Sequence, residues 1–242
     1  MALDTPLNLD GIKSRKSRIY KIGVELEGGW LKLPGPDVAI IRDGSVVFDD
    51  IAVDPPRYVG ELPSPPMDLI DMPKWIKSYY PSHINDTCGL HVHMSFETAF
   101  IYQMLMCKEY PSTVVEYFKK WGEAKKIPTT NGFWPRVEGK SEYCQHVFHA
   151  DFQATAKRKE YDRHAPKHRY TVINYCWHRF KTLECRLLPM MATPEEAIEA
   201  INELVSITDR FLVASTKNAK VKVIESIELD SSNDVEELNE II

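Results

Sequence analysis

The run Lys21-Ile-Gly-Val-Glu-Leu-Glu-Gly-Gly-Trp30 sets two acids, Glu25 and Glu27, at alternate positions of an otherwise apolar stretch. As a strand it sends residues i and i+2 to one face, so both carboxylates point one way and Val24 and Leu26 the other. The pattern recurs twice. In Cys88-Gly-Leu-His-Val-His-Met-Ser95, His91 and His93 share a face opposite Leu90, Val92 and Met94. In Thr182-Leu-Glu-Cys-Arg-Leu-Leu188, Glu184 and Arg186 share a face opposite Leu183, Cys185 and Leu187. Val59-Gly-Glu61-Leu62 adds one more carboxylate ahead of Pro63-Ser-Pro-Pro66, which no helix crosses.

Any one of these strands, taken alone, reads as an ordinary half-exposed strand with a wet outer face. Their polar residues argue otherwise, being Glu, His and Arg where a wet face carries Thr, Lys and Gln. If the strands are neighbours, Glu25, Glu27, Glu61, His91 and Glu184 converge on one concave surface. Four carboxylates at one spot repel one another unless divalent cations lie between them. Carboxylate-rich ligation with a single imidazole suits Mg²⁺ or Mn²⁺ better than zinc. Magnesium held this way most often binds nucleotide phosphates, with Arg186 as phosphate partner and transition-state stabiliser.

The rest of the chain divides around these strands. Residues 1–17 read as a loose basic arm, residues 18–224 as a single domain with 97–168 as a helical and loop insertion, and residues 225–242 as an acidic tail, solvated or weakly helical. The first strand is expected over Arg18–Glu27, closed by a Gly28-Gly29 turn. Val38–Arg42 and Val46–Phe48 read as a hairpin across Asp43-Gly44. Helices are expected over residues 72–79 and from Glu97 to Lys126, the latter broken at Tyr110-Pro111 and burying Phe100, Leu105, Val115 and Phe118. Strands are expected over Arg169–Trp177 and Thr182–Leu188. Thr193-Pro194-Glu195-Glu196 is a capping box that opens a helix running to about Thr216. The mixture is an α+β chain whose strands carry the unusual residues and whose helices supply packing.

Charge and cysteine content narrow the class. A net charge of -5 and a pI near 5.9 argue against a membrane-surface or nucleic-acid binder. No apolar run approaches the roughly 20 residues that span a bilayer, and Met1-Ala-Leu-Asp-Thr-Pro lacks a secretory layout. Five cysteines without a Cys-x-x-Cys pair fit a reduced, cytoplasmic protein with thiols as core residues.

Gly23-Val-Glu25-Leu-Glu27-Gly, Asp43-Gly-Ser45, Gly60-Glu61-Leu-Pro-Ser-Pro65, Cys88-Gly-Leu-His91-Val-His93 and Thr182-Leu-Glu184-Cys-Arg186 resemble, in chain order, the phage and bacterial amidoligases. These are compact relatives of glutamine synthetase and glutamate–cysteine ligase. The resemblance covers roughly residues 20–95 and 165–195. It implies a curved, mainly antiparallel sheet backed by helices, with ATP and two or more Mg²⁺ ions in the bowl. It further implies Glu25, Glu27, Glu61, His91 and Glu184 as metal ligands, with His93 and Ser95 near the nucleotide and Arg186 on phosphate. Glutamine synthetases carry another arginine two residues before the Glu184 position, where this chain has Thr182 with Lys181 beside it. The implied reaction joins a small-molecule or peptide carboxylate to an amine through an acyl phosphate, in the cytoplasm, or that of a host for a phage-encoded chain.

The basic run Lys157–Arg169 stands out in an acidic protein and reads either as a solvated loop or as a source of phosphate contacts from Arg163, Lys167 and above all Arg169. His146, His149 and Asp151 offer a separate metal site at helical spacing. Two other classes compete with the ligase: a Zn²⁺- or Mn²⁺-dependent hydrolase on the same Glu and His residues, and a non-catalytic binding module.

Overall fold

The computed structural model describes residues 17–35, 38–48, 54–129, 132–146, 170–176 and 180–230, the last stretch with side chains to residue 215. Its centre is one open, five-stranded antiparallel sheet built from β1 (Ile19–Trp30), β2 (Tyr58–Pro63), β3 (Gly89–Phe96), β4 (Ile173–Tyr175) and β5 (Thr182–Pro189), in the order β2-β1-β3-β5-β4. The helices among the described residues are α1 (Met72–Tyr79), α2 (Ala99–Leu105), α3 (Glu109–Lys125), α4 (Phe133–Val137) and α5 (Pro194–Asp230).

The alternation assigns the faces as expected. Val24, Leu26, Leu90, Val92, Met94, Leu183 and Cys185 are wholly buried. Helix α5 covers this side with a stripe of Ala197, Ala200, Ile201 and Leu204, spaced three and four apart. Thr208 on the same helix reaches the Met94 sulfur at 3.8 Å and the Tyr110 hydroxyl at 2.8 Å. A one-residue slip in register would turn the acids into the apolar core and uncover this row, at roughly 1.5–3 kcal/mol for each large apolar side chain exposed. All five cysteines are free thiols, four of them buried. No helix is long and apolar enough to cross a membrane among the described residues.

Several expectations are corrected. Strand β1 continues through Gly28-Gly29 to Trp30 instead of turning, because the two glycines admit close neighbours: a Cβ on Gly28 would stand 2.5 Å from Pro81, and one on Gly29 2.6 Å from Pro56. The Asp43-Gly44 turn forms, but its flanks are not strands. Ile41 alone pairs, exchanging two 2.8 Å backbone hydrogen bonds with Glu61 on the outer edge of β2. The long helical stretch breaks at residues 106–108 rather than at Tyr110-Pro111, since proline is tolerated in the first turn of α3. Phe100 is 68% exposed, and Tyr102 and Leu105 take the inner face of the short α2. Strand β4 is shorter than expected, beginning at Ile173. The last helix runs on to Asp230, as no glycine or proline interrupts it after Pro194. Its start is the expected cap: the Glu196 amide donates to Thr193 Oγ1 at 3.2 Å, and the Glu196 carboxylate accepts from the Ala192 amide at 3.1 Å. The N-terminal arm to residue 16 and the tail beyond residue 230 lie outside the described residues.

Candidate metal centre

Strand register assembles the site. Glu27 pairs with Glu61 across β1 and β2, Glu25 pairs with His91 across β1 and β3, and His93, Glu184 and Asn174 fall in line across β3, β5 and β4. The β3–β5 ladder shifts between Leu90 and Val92, so Arg186 and Leu187 together face His91. This bulge lets Arg186 stay on the polar face, where its amide bonds Val172 O at 2.9 Å.

Glu25 is held by both imidazoles. His91 Nδ1 lies 3.2 Å from its Oε2, and His93 Nε2 lies 3.1 Å from its Oε1. Burial would raise the Glu25 pKa, but the two imidazole contacts outweigh it and hold the carboxyl well below its usual range. Burial pulls His93 the other way, yet Glu25 and Glu184 leave its pKa raised. Thr182 Oγ1, at the position where the resemblance expects an arginine, stands 3.1 Å from His93 Nδ1 and so orients the ring. Glu184 bonds Arg186 Nη1 through one oxygen and Asn174 Nδ2, at 2.6 Å, through the other. Its burial is offset by Arg186, which brings its pKa down to about 2. The Arg186 guanidinium also packs against the Tyr170 ring at 5.4 Å.

A tight polar cradle lies at Gly89, whose amide donates to Glu27 Oε2. A Cβ there would stand 2.6 Å from His91 Nε2, 3.0 Å from Glu27 Oε2 and 3.2 Å from Arg136 Nη2. His91 Nε2 is buried without a hydrogen-bond partner among the described residues, 3.6 Å from Glu27 Oε1. Arg136, 2% exposed, hydrogen-bonds the Arg186 carbonyl at 3.1 Å and brings a second buried guanidinium beside the acids.

Two donor groups result. The ligand atoms of Glu25, His93 and Glu184 lie within 4.8 Å of one another, and so do those of Glu27, Asp43 and Glu61. His91 joins the first group's carboxylates, its Nδ1 being 3.2 Å from Glu25 and 3.7 Å from Glu184. Five carboxylates against two guanidinium groups leave an excess of negative charge. Oxygen-rich sets with an orphaned imidazole nitrogen fit hard divalent cations.

The expected metal ligands Glu25, Glu27, Glu61, His91 and Glu184 thus come together, with His93 among the donors instead of apart from them. Arg186 is in the same patch. Ser95 lies on the same face two positions beyond His93, its hydroxyl accepting from the Lys21 amide at 3.1 Å and donating to the Lys21 carbonyl at 3.2 Å. Arg163, Lys167, Arg169, His149 and Asp151 lie outside the described residues. Sequence reasoning counted Asp43 in a motif of the resemblance but gave it no metal role, and did not single out Arg136. Asp43 looked like a turn residue, and its Oδ1 does accept from the Ser45 amide at 2.8 Å. Arg136 sits in Phe133-Trp-Pro-Arg-Val, whose only signal is one cation in an apolar turn.

Without bound metal, these shifts tie stability to pH. Glu25 and Glu184 have depressed values, so their contribution is complete above the unfolded carboxyl value of about 4.3 and fades as pH falls below it. His93 has a raised value, so its contribution is complete below about 6.5 and fades as pH climbs through its folded value. In EDTA the urea midpoint should therefore peak between about pH 4.5 and 6.5. A midpoint unchanged from about pH 5 to pH 3 would contradict this account.

No family model, no curated protein and no solved structure matches the chain.

Proposed function

We propose that the protein is an ATP- and Mg²⁺-dependent carboxylate–amine ligase, of the amidoligase kind, on a glutamine-synthetase-like sheet. The observation that carries this reading is the meeting of two adjacent donor groups with the buried Arg186 on one polar sheet face. A carboxylate is a poor electrophile at neutral pH. Transfer of the γ-phosphoryl group of ATP to a carboxylate oxygen, with ADP leaving, gives an acyl phosphate. The amine nitrogen then attacks the acyl carbon, and phosphate and a proton depart as the amide forms.

Glu25, Glu184 and an imidazole from β3 would hold one cation, and Glu27, Asp43 and Glu61 the other. Bound Mg²⁺ supplies neutralisation of the phosphoryl oxygens during transfer. Arg186 keeps its charge, its pKa raised by the neighbouring glutamates despite burial. Among the described residues its Nε has no hydrogen-bond partner, which leaves a donor for a phosphoryl oxygen. The apolar sheet face behind these groups fixes their positions before substrate arrives.

ATP with Mg²⁺ should raise the melting temperature by about 5–10 °C at roughly a hundred times the Kd, and ATP in EDTA should not. A shift with Zn²⁺ or Mn²⁺ alone, indifferent to nucleotide, would favour the hydrolase instead. A screen of amino-acid and amine pairs for phosphate release identifies the substrates.

A further inference from the structure

Asp43 belongs to the donor group of Glu27 and Glu61, and it also lines an open cavity of about 770 Å³ on the outer side of β2. The cavity lies between residues 38–48 and Arg57–Val59. Its walls are mostly apolar, with Val38, Ile40, Val46, Phe48 and Val59 among them, and Val47 and Tyr58 contribute partly exposed side chains. Its charged lining is Arg42, Arg57 and Asp43. Its volume is that of a small-molecule site.

We propose that this cavity holds the side chain of the carboxylate substrate and selects carboxylates bearing a bulky aromatic or branched apolar group. The inference rests on the ligase reading. Two arginines against one aspartate favour an anion over the amine partner. Apolar walls favour a large hydrocarbon group over a small or acidic one. Arg186, the phosphate-directed group, lies on β5, three inter-strand steps from β2 and so about 14 Å away along the sheet. The nucleotide then belongs to the β5 end and the carboxylate's side chain to the β2 end. Asp43, Glu27 and Glu61 mark where the two meet.

Calorimetric titration of the full chain in Mg²⁺ without nucleotide tests this. The probes are phenylalanine, leucine and their N-acetyl forms, with phenylalaninamide, glycine and glutamate for comparison. The apolar carboxylates should bind, and phenylalaninamide, glycine and glutamate should bind at least about tenfold more weakly. Val47 is 40% exposed, so Val47→Asp spares the fold while placing a negative charge on the wall. It should weaken phenylalanine binding by about tenfold or more, with unchanged circular dichroism. The proposal is overturned if no apolar carboxylate binds, if the amide or glutamate binds as well, or if Val47→Asp has no effect. It is also overturned if ATP displaces phenylalanine. Glu25→Gln alters the other donor group and separates the two readings, since it should stop phosphate release and leave phenylalanine binding in place. Phenylalanine binding without phosphate release from any pair counts against the ligase alone. Phosphate release from small polar carboxylates without phenylalanine binding counts against the pocket alone.

Discussion

Glu25→Gln should reduce the ATP turnover proposed for this site by roughly a hundred- to a thousandfold or more while the protein stays folded. Its carboxylate is the one acid touched by both imidazoles, so it connects the two halves of the first donor group. Glutamine keeps the shape and loses the charge that a divalent cation requires. The substituted side chain is partly solvent-accessible, and His93, whose pKa Glu25 helps to raise, keeps the Glu184 charge beside it. Glu184→Gln should abolish turnover equally but at a structural cost, because Arg186 would lose its partner in a buried setting, worth about 3–5 kcal/mol. Phosphate release alongside urea midpoints separates the two effects. Turnover at the wild-type rate in Glu25→Gln would remove this residue from the ligand set.

Gly60→Ala has the largest expected effect on the fold around the site. Gly60 adopts φ +152°, and a Cβ would stand 2.1 Å from the Ile41 carbonyl oxygen. The backbone conformation alone costs about 1–3 kcal/mol for a residue with a side chain. The clash adds to this, because it pushes away the run that pairs with Glu61 through Ile41. Loss of about 3–10 °C in melting temperature should follow, together with faster proteolysis within residues 38–48. The Asp43 carboxylate would leave Glu27 and Glu61, so metal affinity should fall as well. A wild-type melting temperature in Gly60→Ala would mean that the edge contact contributes nothing.

The polar face was legible because strand geometry is strict: a residue two positions from Glu25, His91 or Glu184 must share its side of the sheet. Which strands are neighbours, and in what register, comes from tertiary pairing that spacing alone does not encode. Residues carried by irregular segments were hidden for the same reason. Asp43 reaches the site through a single bridge at Ile41, and Arg136 reaches it from a five-residue helix. Gly28-Gly29 misled because the usual meaning of paired glycines is a turn, whereas here they make room for Pro56 and Pro81. In α2, seven residues are too few for periodicity to separate Phe100 from Tyr102.

The histidine strand β3 occupies the middle of the sheet, with paired neighbours on both sides, while the run bearing Asp43 clings to an outer edge. Amides at the centre exchange with solvent only when the whole domain opens, and those at a margin exchange through local excursions. The half of the pocket nearest His91 is therefore as durable as the protein itself. The half nearest Asp43 is free to breathe, which on the proposed ligase reading would suit a part that admits one reactant and releases the joined product.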